Sequence, residues 1–110
     1  MTDQTPQGIL SAAADLIERT GWTQEYFARQ KNGLACDMLS DDAVCFCIRG
    51  AIGAVTFSHP HAYSEIGETA QRMVADRVGL KYSCEIGKWN NHPLRTKEEV
   101  IAALRGASND

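Results

Sequence analysis

Four cysteines (36, 45, 47 and 84) and three histidines (59, 61 and 92) carry most of the metal-binding and nucleophilic potential of this chain. Zinc asks for paired ligands at short, regular spacing. Cys45 and Cys47 are two apart, and on a helix that separation turns them to nearly opposite faces. His59 and His61 flank Pro60 and could reach one ion, with Cys84 as a third ligand. Only one loose pair results, so no metal is expected. A cysteine nucleophile needs an electropositive setting and a histidine partner. Cys84 has Lys81 and Lys88 near it in sequence, but nothing pairs it with a histidine. Serine-hydrolase, phosphate-loop and dinucleotide fingerprints are absent. The sequence therefore assigns no catalytic residue and no cofactor, and it leans away from an enzyme. A ligand-binding or catalytic site around Cys84, His59 and His61 stays as the alternative.

A second group of residues suits recognition better than reaction. Trp89, Asn90, Asn91, His92 and Arg95 place a large amphipathic ring, two amides, an imidazole and a guanidinium within seven residues. Such mixtures dominate contact energetics, and loops are where they act. The same residues also suit a turn ahead of a capped helix, with Trp89 as an anchor beneath it. This loop is the expected interaction surface.

A third pattern is Leu16 to Arg29, whose Gly21-Trp22-Thr23-Gln24-Glu25 and Ala28 look like the first half of a helix-turn-helix. A recognition helix should follow. Gln30-Lys31-Asn32-Gly33 follows instead. With a net charge of −3, a pI near 5.5 and no basic stripe, nucleic acid is a disfavoured partner. DNA binding is retained only as a further alternative.

These groups need a scaffold. At 110 residues, 44% hydrophobic and 23% charged, the chain fits a single globular domain across 1–110. Frayed ends are expected at 1–5 and 107–110. The polar start lacks an export signal and no apolar run reaches membrane-spanning length. A cytoplasmic protein with no membrane partner and with reduced cysteines is the expectation.

The first helix is expected at 6–20, from the stripe Ile9, Leu10, Ala13, Leu16, Ile17, with Thr5 as cap and Pro6 at its start. Asn32-Gly33 predicts a two-residue hairpin turn joining strands in 26–39, with Phe27 facing Met38 and Arg29 facing Cys36. Ser40-Asp41-Asp42 offers caps for a central apolar helix near 41–57. A third helix is expected at 60–78, then a connector or short strand from Leu80 to Ile86. A capping box, Thr96 with Glu99, opens the last helix at 97–106. The expected fold class is α+β, mostly α: about four helices around the central one, with one small β-hairpin.

Three stretches carry a family resemblance. They are Ala13-Ala14 to Gly21-Trp22-Thr23-Gln24, then Cys47-Ile48-Arg49-Gly50-Ala51-Ile52, then Trp89-Asn90-Asn91 with Arg95-Thr96 and Glu98-Glu99-Val100-Ile101. Together they resemble a family of small uncharacterised proteins of bacteria and their phages, a domain of unknown function. Two positions depart from it: Asn91, where the family often has Asp, and Glu25, where it often has Gly. The resemblance implies no activity, substrate or cofactor. It implies a phage or prophage accessory setting, and with the composition it leads to a small protein-interaction module that modulates a host protein. Partner identity and oligomeric state are not legible.

Overall fold

The computed structural model describes residues 4–56 and 65–109. Among them are five α-helices and a three-stranded antiparallel sheet, so the α+β, mostly helical class holds. The order is α1 (Pro6–Arg19), β1 (Ala28–Gln30), β2 (Ala35–Cys36), β3 (Ala43–Phe46), α2 (Ile48–Val55), α3 (Glu65–Arg77), a 3-10 turn (Ser83–Glu85), α4 (Ile86–Asn90) and α5 (Lys97–Ser108).

The core is aliphatic. Ile9, Leu10 and Ile17 of α1 meet Ile48 and Ile52 of α2, Val74 of α3, Ile86 of α4, and Val100 and Leu104 of α5. α1 packs on α2, α3 and α5. Its ends follow the expected chemistry: the Thr5 hydroxyl accepts from the Gly8 amide at 3.0 Å, with Pro6 in the first turn. The capping box of α5 is also formed, Glu99 N to Thr96 Oγ1 at 3.1 Å and Thr96 N to Glu99 Oε1 at 3.0 Å.

The central helix expected near 41–57 is the largest correction. Residues Ala43–Phe46 are a strand, and the helix begins only at Ile48. Apolar runs of this length read as helix or strand with equal ease. Tertiary pairing decides: β1 needs a second neighbour, and β3 supplies it, giving the order β2-β1-β3. Ser40 and Asp37 shape the preceding turns instead of capping a helix, accepting from Asp42 N at 3.1 Å and Leu39 N at 2.8 Å. The helix cap is Cys47, whose Sγ accepts from the Gly50 amide at 3.2 Å.

The hairpin is present with its register moved by one. Ala28 faces Cys36 and Arg29 faces Ala35. The loop has three residues, Lys31-Asn32-Gly33, because Gln30 N bonds Leu34 O at 2.9 Å and Gly33 sits at φ 87. That is a turn closed by a left-handed glycine rather than a two-residue turn. One extra loop residue exchanges the faces of the strand, so Ala28 is buried and Phe27 is half exposed.

Smaller differences lie in α3, the stretch after it, the end of α5 and the segment after α1. The expected third helix spans Glu65–Arg77 within the described residues, and 60–64 lie outside them. The stretch from Leu80 to Ile86 contains the 3-10 turn and the start of α4, not a strand. α5 continues past Gly106 to Ser108, because Ala107 is fully buried and Ser108 Oγ donates to Gln7 O at 2.8 Å. After α1 comes an isolated bridge between Trp22 and Phe46, then β1, so the second helix that a helix-turn-helix requires is absent from 22–30.

Candidate functional site

Asn90 ends the short helix α4 and is 1% exposed. A buried amide is costly unless its polar atoms are paired, and here they are. Its Oδ1 accepts from the Trp22 indole Nε1 at 2.8 Å and from the Ile48 amide at 3.2 Å. Its Nδ2 donates to Thr23 O at 3.2 Å and to Asn91 Oδ1 at 3.1 Å. One side chain therefore joins the segment after α1, the first amide of α2 and the end of α4.

Gln24 and Asn91 extend this clamp outward. Gln24 Nε2 donates to Asn90 O at 3.1 Å and His92 O at 2.8 Å. Asn91 Oδ1 also accepts from Glu25 N at 2.7 Å. Glu25 is held at φ 74, a left-handed conformation that costs a side-chain-bearing residue about 1–2 kcal/mol. Glycine would take that conformation without strain. Among the described residues the Glu25 carboxylate accepts no hydrogen bond and joins no ion pair.

The left-handed residue redirects the chain, so that Tyr26 and Phe27 stand out from the core at 49% and 48% exposure. The Phe27 backbone is nonetheless pinned to the start of α2. Cys47 N donates to Phe27 O at 3.1 Å, and a Cβ on Gly50 would lie 1.9 Å from that same oxygen. Glycine at 50 is what permits this approach. Arg29 stacks its guanidinium 4.6 Å from the Tyr26 ring centre and donates to Thr23 Oγ1 at 2.7 Å.

Between these segments lies a cleft of about 340 Å³, lined by Glu25, Tyr26, Phe27, Cys47, Arg49, Gly87, Asn90 and Asn91. Arg49 Nε donates to Gln71 Oε1 at 3.2 Å, and its guanidinium lies 5.8 Å from the Phe27 ring centre. Its two Nη nitrogens donate no hydrogen bond to the described residues. Burial pushes the Cys47 thiol above its ordinary range, while amides at the start of α2 and the Arg49 charge pull it partly back. At neutral pH Cys47 is a capping thiol rather than a thiolate.

The loop singled out from sequence stays together in space, with a division of labour. Arg95 lies 3.8 Å from the centre of the Trp89 ring, donates through Nε to Trp89 O at 2.9 Å, and bridges to Glu99 at 3.3 Å. Trp89 and Arg95 thus brace one another, and Asn90 is internal. Asn91 and His92 are exposed. His92 also shapes the turn: its Nδ1 accepts from Leu94 N at 3.1 Å and its carbonyl from Arg95 N at 2.9 Å. Leu94, at the tip, is 80% exposed.

Of the alternative site, His59 and His61 lie outside the described residues, and Cys84 is exposed. Among the described residues no three His, Cys, Asp or Glu side chains gather as metal ligands. Sequence reasoning missed Gln24, Glu25, Tyr26, Phe27, Arg49 and Gly87, because the cleft joins three segments distant along the chain. The one available signal was that two of those segments fell within the stretches that carry the resemblance.

A family model described as a family of unknown function (DUF6197) matches residues 1–110. No curated protein and no solved structure matches the chain.

Proposed function

We propose that the chain, which belongs to that family of unknown function, is a small protein-interaction module whose contact surface is the turn Asn91–Arg95. The observation that carries this reading is Leu94. A single exposed leucine is unremarkable, but this one tips a turn fixed from within by His92 and from below by Gln24 and the Trp89–Arg95 stack. A pre-ordered apolar tip loses little freedom when a partner covers it. His92 and the exposed side of Asn91 would supply the polar rim. No helix among the described residues is long and apolar enough to cross a membrane, and all four cysteines are unpaired, which agrees with a reducing compartment. We place the protein in the cytoplasm, that of the host if phage-encoded, as an accessory factor modulating a host protein. The phage setting rests on the resemblance alone.

The test is affinity capture from lysate of the source cell with the wild-type chain and with Leu94→Asp. The variant should keep its melting temperature and lose the captured protein at least tenfold, equivalent to about 1.4 kcal/mol. Equal capture by a folded Leu94→Asp removes the loop from the account.

A further inference from the structure

The cleft beside the loop carries two groups that neither the fold nor protein docking uses, the Glu25 carboxylate and the Arg49 Nη pair. We propose that it binds a zwitterionic small molecule of amino-acid size with an apolar or aromatic body.

Size comes first. About 340 Å³ lies at the small end of ligand pockets, enough for an amino-acid-sized molecule and tight for a nucleotide. Charge comes second. Glu25 and Arg49 both line the cleft, and each retains unused capacity: the Glu25 carboxylate has no bond or ion pair among the described residues, and the Arg49 Nη pair has none either. An anion and a cation in one cleft match a ligand that bears both charges. The Nη pair suits a carboxylate in two-point contact, and Glu25 suits an ammonium. Asn91 spends its oxygen inward on Glu25 N and Asn90 Nδ2, so its amide NH2 remains as a further donor. Body shape comes third. Tyr26 and Phe27 are each about half exposed and line the same cleft, and aromatic rings hold flat apolar groups and onium carbons.

Glu25 gives the strongest reason to look outside the fold. A glycine would sit there without backbone strain. Glutamate carries that strain, and its carboxylate makes no contact that stabilises the fold in return. Backbone strain of this sort gathers at ligand clamps. Gly87 supplies the opposite feature: a Cβ built on it meets nothing within 4 Å, so the cleft is open there.

The experiment titrates the full chain with L-phenylalanine, N-acetyl-L-phenylalanine and L-phenylalanine amide, following backbone amide NMR shifts and calorimetry. L-Phenylalanine should shift the amides of Glu25, Phe27, Arg49, Gly87 and Asn91, and should bind more tightly than either blocked form. Glu25→Gln should cut the preference for the free amine by about threefold, as expected of an exposed charge. Arg49→Gln should cut the preference for the free carboxylate by about tenfold, as expected of a half-buried one. Gly87→Leu, which fills open space and leaves the core alone, should abolish the shifts while the chain stays folded. The proposal is overturned if no probe shifts these amides at about 10 mM. It is equally overturned if the three probes bind alike, or if a folded Gly87→Leu binds as well as wild type.

Discussion

Replacing Asn90 with leucine tests how the site is held. Leucine keeps the branched outline of asparagine, is somewhat bulkier, offers no donor or acceptor, and keeps water out of the space it fills. Four hydrogen bonds disappear together, those with Trp22 Nε1, Ile48 N, Thr23 O and Asn91 Oδ1. The Ile48 amide is fully buried, and Thr23 is only 9% exposed. Each group left orphaned there costs about 1–3 kcal/mol. The Trp22 indole and the Asn91 amide lie nearer solvent and can recover a partner in water, so they add less. The expected loss is about 2–6 kcal/mol, against a total near 5–15 kcal/mol for a domain of this kind. Urea unfolding followed by tryptophan fluorescence reads it directly, with Lys88→Ala on the exposed side of α4 as the control at under about 0.5 kcal/mol. A change in Asn90→Leu no larger than that of the control would refute the claim that this amide organises the site.

Further predictions concern the same region and the core. Gly50→Ala should lower stability by about 2 kcal/mol or more, since its Cβ would lie 1.9 Å from Phe27 O; chemical denaturation checks this. Glu25→Gly should be neutral or gain up to about 1 kcal/mol while Glu25→Val loses at least that much, because only the first relieves the positive φ; thermal melts of the pair decide it. Ile48→Ala or Ile52→Ala should each cost about 2–5 kcal/mol, as both side chains are at most 1% exposed. In native protein at neutral pH, Cys84 should react first with a thiol reagent. Cys47, buried and pushed up in pKa, should gain reactivity only as the pH rises above the ordinary thiol range; peptide mapping after timed alkylation distinguishes the two.

The helix ends were readable where capping residues stand next to periodic apolar stripes, as at Thr5-Pro6 and Thr96 to Glu99. Their chemistry is local, so sequence neighbours suffice to show it. The strand at Ala43–Phe46 was not readable, because four apolar residues take either form and β1 makes the choice from a distance. The hairpin turn was correctly placed at Asn32-Gly33, but its length depends on how Gln30 and Leu34 pair. That single residue decided which strand face is buried. The Trp89–Arg95 segment stood out by composition. Its internal division, with Asn90 facing inward and Leu94 outward, depends on partners in 22–24 and 48 that no local pattern announces. The cleft was invisible for the same reason. Glu25 gives no sign of a positive φ by its own chemistry.

The central claim is that Asn90 ties the segment after α1, the start of α2 and the end of α4 into one rigid unit that positions both cleft and loop. Hydrogen exchange of the Ile48 amide and the Trp22 indole N–H in the wild-type chain measures this most directly. Both groups donate to Asn90 Oδ1, at 3.2 Å and 2.8 Å. The account predicts that Ile48 exchanges only through global unfolding and that the Trp22 indole is protected well beyond a solvent-exposed indole. Exchange of both at the rates of unprotected groups, in a chain that is otherwise folded, would contradict it.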